Sequence, residues 1–286
     1  MDSRQRHARR HLLSATARVL STAIVASEPP DAGTVRGMNT ASELPWWEAY
    51  NNNVRSLHDT SWADLSSLLS DDICALLSDV DAAFALTGAH TPGWPNPYQD
   101  GLAPDEHAYE RVTDPEKFQI VEARARAWSH VLLERGWARH AAHIEWALRP
   151  HDSGGTDTIL WPVADDAVPL VLTTHTPVDS DHIVTVTVAA GELAVRLASI
   201  PDCGCDGCDH GSATLLEEID KWVLSVVDGS LHVHVDAHRL AIRTSFGGHT
   251  SRPVPDLDTP TAFTAAPWPP NWNARPLVPD IDTHRH

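Results

Sequence analysis

The stretch His182-Ile-Val-Thr-Val-Thr-Val188, followed by Ala189-Ala190-Gly191 and then Glu192-Leu-Ala-Val-Arg-Leu-Ala198, decides the fold. Two runs rich in β-branched residues, partly alternating and separated by a small-residue turn at Ala190-Gly191, predict a β-hairpin. Similar runs at 142–148, 168–175, 231–235 and 239–246 extend the strand signal on both sides. Helical periodicity frames them. Ser70 is placed to cap a helix in which Ile73, Leu76, Leu77, Val80 and Phe84 share a face, and Gly88 stops it. A second helix carries Phe118, Val121, Ala125, Trp128 and Leu132, with Thr113 or Asp114 as cap, Pro115 in its first turn and Glu116 three after Thr113, a spacing that permits a capping box. The third, over Ser212–Val227, lines up Leu215, Ile219, Trp222 and Val226 before Gly229. Strands grouped between helices, and not alternating with them one by one, predict an α+β fold: an antiparallel sheet covered by about three main helices.

Outward from that core the chain changes character. Residues 1–37 have no apolar periodicity and read as a disordered arm, an over-extended start before Met38, or a weak export signal. Arg9-Arg10-His11-Leu12-Leu13 has the opening of a twin-arginine signal, but Arg18 interrupts the apolar run and Glu28-Pro29-Pro30 stands where small residues would mark cleavage. Residues 38–249 read as one domain, and 250–286 as a Pro-rich tail with Trp268 and Trp272 as anchors. The remaining Trp residues, spread along the chain, read as core and cover and not as a stacking platform.

The 286 residues carry a formal charge of −18. Six Arg and three acids lie in the first 37 residues, so the part expected to fold is more acidic still. Such a surface repels phosphate backbones and anionic lipid, which argues against nucleic-acid and membrane partners and for solubility. No apolar run reaches the roughly 18 residues of a membrane span. Four Cys are too few for a disulfide scaffold in a chain of this length.

One segment points to chemistry. Asp202-Cys-Gly-Cys-Asp-Gly-Cys-Asp-His210 sets three thiols within six residues, between a predicted strand and a predicted helix. Gly204 and Gly207 free the backbone to bring Cys203, Cys205 and Cys208 together. Asp202, Asp206 and Asp209 oppose thiolates in an empty site, whereas a dication reverses that balance, so the composition suits a cation better than a nucleophile. Zinc is the natural ion, with His210 as fourth ligand and Cys74, His232 or His234 as other candidates. Two alternatives stay open: a Cys205-x-x-Cys208 redox pair near a helix start, and a tight turn with buried thiols and no chemistry. A second motif, His232-Val-His234-Val-Asp236-Ala-His238, puts His232, His234 and Asp236 on one strand face, as a metal-dependent hydrolase would require. The extra residue before His238 and its late position set it apart from the His-x-His-x-Asp-His motif of metallo-β-lactamase-like hydrolases. The blander reading is an amphipathic strand with a His-rich polar face.

Tyr109-Glu-Arg-Val-Thr-Asp-Pro-Glu-Lys-Phe118 and Cys203-Gly-Cys-Asp-Gly-Cys-Asp209 together resemble a family of unknown function from high-GC, actinobacterial-type bacteria. Its segments read Tyr-x-Arg-Val-Thr-x-Pro-x-Arg-Phe and Cys-Gly-Cys-Asp-x-Cys-Asp, and Lys117 stands where Arg is expected. The resemblance covers roughly 90–249 and implies a cytoplasmic protein with no assigned catalytic residue. The sequence reading is therefore a non-enzymatic protein with a small metal or thiol site. A protein partner at the acidic surface and Trp-bearing tail is compatible with it.

Overall fold

The computed structural model describes residues 44–60, 65–99, 101–149, 154–176, 183–251 and 259–278. The expectations for residues 1–37, export signal included, lie outside the described residues. Four α-helices occur among the described residues: α1 (Trp46–Asp59), α2 (Asp71–Thr87), α3 (Gln119–Glu134) and α4 (Ser212–Val227). Ser70 caps α2 as its position predicts, its hydroxyl accepting from the Ile73 amide. The capping box expected at Thr113 and Glu116 does not form. Asp114 adopts φ 55°, a 3₁₀ turn spans Pro115–Phe118, and the Thr113 hydroxyl bonds elsewhere, to Asp206.

The strands form two sheets. The larger has the order β1 (Ala138–Ala141), β3 (Thr156–Pro162), β4 (Leu170–His175), β5 (Thr185–Ala190), β6 (Leu193–Ile200), β2 (Glu145–Leu148). The β5–β6 hairpin forms as read, with Gly191 at φ 105° in its turn. One pairing departs from the antiparallel expectation: β2 runs parallel to β6, so the sheet is mixed. Residues in sequence between β1 and β3 are carried to the opposite edge, a crossing no local pattern encodes. The smaller sheet is antiparallel throughout, in the order β10 (Thr261–Thr264), β7 (His232–Asp236), β8 (Arg239–Thr244), β9 (Gly247–Ser251). Regular structure thus continues past residue 246, where the strand signal in the sequence ended.

One face of the large sheet packs on the helices. Leu76, Val80, Trp128, Leu132, Leu172, Val188, Leu224 and Val233 belong to one continuous core, while Ile144, Trp146, Ile159, Val171, Ala189 and Ala194 form a smaller cluster. A polar knot lies within this apolar setting. Asp220 of α4, fully buried, accepts from Arg124 Nε (2.7 Å) and Nη2 (2.6 Å), from Trp128 Nε1 (2.7 Å) and from Trp46 Nε1 (2.8 Å). It joins α1, α3 and α4, and its four donors meet the need of a buried carboxylate for partners. The C-terminal segment is also held down. Trp268 is 2% exposed, Trp272 stacks edge-on against Trp137, and buried Arg275 reaches Asp228, Ser245 and the Ser67 carbonyl.

Candidate metal centre

The Cys-bearing loop joins β6 to α4. Two backbone bonds, from Cys208 N to the Cys205 carbonyl and from Asp209 N to the Asp206 carbonyl, wind residues 206–208 into a single 3₁₀ turn. The ligand atoms of Cys203, Cys205 and Cys208 all lie within 4.8 Å of one another, with the Cys203 and Cys205 sulfurs 3.2 Å apart. Tetrahedral thiolates on zinc, with Zn–S near 2.3 Å, would stand about 3.8 Å apart, so the three sulfurs reach such an ion with changes of no more than about 1 Å in any separation. The Cys205 amide points at the Cys203 sulfur (3.5 Å), a contact that favours sulfur as an acceptor.

Both glycines of the loop are places of close approach. A Cβ on Gly204 would come within 2.4 Å of the Ile183 side chain, and one on Gly207 within 2.7 Å of the Tyr109 ring. The loop can wind this tightly only where those positions lack side chains.

The acidic residues do not behave as the sequence reading supposed. Asp206 and Asp209 are engaged by the loop that carries Trp94, Tyr98 and the segment 109–118. The Asp206 carboxylate accepts from the Thr113 amide and hydroxyl and from Arg111 Nε, each at 2.7 Å. Burial opposes its ionisation, but these donors outweigh it and hold its carboxyl below the ordinary carboxylate range. The Asp206 amide donates to the Arg111 carbonyl, and the Tyr98 hydroxyl donates to the Asp206 carbonyl. Asp209 accepts from Trp94 Nε1 (2.9 and 3.0 Å), Lys117 Nζ (2.7 Å) and the Gly211 amide (2.8 Å). Lys117 also lies 5.2 Å from the centres of the Trp94 and Phe118 rings. The carboxylates therefore fasten two distant segments together, and Arg111 and Lys117 offset their charge.

The thiols sit in neutralised, partly buried surroundings. Burial and then Cys203 raise the Cys205 thiol above its ordinary value, although Cys208 works against this. Hydrogen bonding to Cys203 and then burial push Cys208 far up. Without a cation Cys205 and Cys208 are protonated thiols at neutral pH, the reverse of a poised redox pair. A dication would reverse that and displace their protons.

His210 is exposed at the edge of the loop and is not among the ligand atoms that converge with the three sulfurs. Cys74 lies at the start of α2 beside Asn51 Nδ2 (3.6 Å) and the Leu69 carbonyl (3.9 Å), and burial, then Asp71 and Glu48, raise its thiol. His232, His234 and Asp236 do share one face of β7, as strand periodicity requires, with Leu231, Val233 and Val235 buried behind them. His234 Nε2 stands 3.2 Å from Asp236 Oδ2, while Asp236 Oδ1 accepts from the His238 and Arg239 amides in the turn to β8. Among the described residues the three Cys alone form a group able to hold a metal ion.

The residues that sequence reading missed are Trp94, Tyr98, Arg111, Thr113 and Lys117. Their signal was the charge match between the Arg111/Lys117 segment and the Asp206/Asp209 segment, visible only once the two are known to touch. The chain matches the model of a family of unknown function (DUF6226) over residues 80–272. It belongs to that family. The match takes in α3, both sheets and the Cys loop with its docked partner segment. No curated protein and no solved structure matches the chain. Among the described residues no helix is long and apolar enough to cross a membrane.

Proposed function

We propose that this is a non-enzymatic cytoplasmic protein in which Cys203, Cys205 and Cys208 hold one structural zinc ion, with His210, which stands outside the converged sulfurs, turning inward from the loop edge to supply the fourth ligand. The convergence of three sulfurs within 4.8 Å carries this reading. The surroundings support it: the loop joins a strand to a helix and is locked to the 94–118 segment through Asp206 and Asp209. An ion there would fix the junction of β6, α4 and the 109–118 segment, and its contribution would be to folding. The raised thiols speak against thiol–disulfide catalysis.

Metal analysis of protein made without a His tag tests it. The expected result is one zinc per chain, lost together with thermal stability in Cys203→Ser and retained in His234→Ala. Metal kept by Cys203→Ser but lost from His234→Ala overturns the reading. So does metal-free protein with a reversible Cys205–Cys208 disulfide, which would make the loop a redox element.

A further inference from the structure

The outer face of the small sheet has a composition unlike the rest of this acidic chain. Strand alternation sends Val233 and Val235 of β7, and Leu240 and Ile242 of β8, into the core. The intervening residues are left on the other face, and four of them are basic or protonatable: His232, His234, Arg239 and Arg243. Register fixes their layout. His232 stands opposite Arg243 on one side and Thr264 on the other, so one row across β10, β7 and β8 reads Thr264, His232, Arg243. In the next row His234 lies between Ala262 and Ala241, whose small side chains leave the floor low. These residues line an open depression of about 430 Å³. Three of them are already oriented: Thr264 Oγ1 is 3.4 Å from His232 Nδ1, and Arg243 Nη2 donates to the Val278 carbonyl at 3.4 Å.

Two guanidinium groups beside the imidazoles oppose a bound dication, which counts against reading this strand as a hydrolase metal site. The same groups suit an anion. Asp236 lies on the same face, opposite Arg239 in register, and its carboxylate is held by His234 and by the turn amides of His238 and Arg239. Guanidinium forks match oxyanions in shape, and imidazole and hydroxyl groups add further donors at the same level. On a chain of net charge −18 a face with this composition is a local exception to the general repulsion of anions.

We propose that the β7–β8 face binds a small-molecule oxyanion, a phosphate ester or a carboxylate, through Arg239, Arg243, His232 and Thr264, with His234 at its margin.

The test is calorimetric titration of the full-length, untagged protein with inorganic phosphate and, separately, with succinate. Saturable binding of either supports the proposal, and the tighter arm names the headgroup. Arg239→Gln, at an exposed position, is expected to weaken binding about tenfold with the melting temperature unchanged, the size of one charge-assisted hydrogen bond. Arg243→Gln is expected to do at least as much. Absence of saturable binding in both arms overturns the proposal, as does binding indifferent to both substitutions. Binding that appears only in Asp280→Asn/Asp282→Asn protein also overturns it, because the chain's own C-terminus would then be the occupant.

Discussion

Asp209 is, with Asp206, one of the two residues through which the candidate metal centre is fastened to the rest of the molecule, and its removal has a calculable cost. Its side chain is 6% exposed and that of Lys117 is 17% exposed, with 2.7 Å between the charged atoms. At an effective dielectric constant near 20 the attraction is about 6 kcal/mol before the cost of desolvating both groups is subtracted. Breaking such a pair leaves Lys117 with its charge over two aromatic rings and no carboxylate, and it orphans the Trp94 indole N–H and the Gly211 amide. Breaking a fully buried pair costs about 3–5 kcal/mol, and partial exposure places this one at the lower end. Asp209→Ala is therefore expected to cost about 3 kcal/mol, a fall in Tm of about 6–12 °C for a domain of this size. Asp209→Asn keeps one acceptor oxygen but turns an amide donor towards Lys117, for about 2 kcal/mol. Urea unfolding followed by far-UV circular dichroism measures both. Metal titration of the same proteins is expected to show affinity about 10–100-fold lower, because the loop loses the contacts that hold its shape. A loss below about 0.5 kcal/mol in Asp209→Ala, together with unchanged metal affinity, would refute the view that Asp209 holds the loop.

Two further outcomes follow from acids of α4. Asp220→Asn faces four donors with one acceptor oxygen and leaves the Arg124 charge, 2% exposed, with only Asp81 opposite it; a cost of about 3–5 kcal/mol is expected in chemical denaturation, and an effect within about 1 kcal/mol would contradict the network reading. Glu218 is pushed up to about 7 by burial first and then by Asp202, with Trp222 and Lys221 acting against them. Its folded value lies above its ordinary value near 4.3, so its contribution to stability is fully present at about pH 4 and is lost as pH rises towards 7. Glu218→Gln is accordingly expected to stabilise the protein by about 1–3 kcal/mol at pH 8 and to change little at pH 4.5, whereas a difference independent of pH would show that the carboxyl does not titrate this way.

Local chemistry alone determined much of this protein. Ser70 and Gly88 bound α2, Gly229 follows the end of α4, and Ala190-Gly191 turns the β5–β6 hairpin, because caps and turns are decided by a few adjacent residues. Helix faces such as Phe118–Val121–Ala125–Trp128–Leu132 were legible for the same reason, since periodicity is a local property. The proximity of Cys203, Cys205 and Cys208 was legible too, as six residues with two glycines leave little room for the sulfurs to separate. What tertiary structure decided was everything that depends on which segments meet. Whether Asp206 and Asp209 would attract a cation or tie down a loop turned on Arg111, Thr113 and Lys117, about 90 residues away in sequence. That the β7 histidines stand beside two guanidinium groups turned on the register that sets Arg243 opposite His232 and Arg239 opposite Asp236. The parallel seating of β2 on β6 and the pairing of β10 with β7 were hidden likewise. A sequence states the charge and shape of each residue, but the sign of the field at a site is a sum over neighbours that only the folded chain brings together.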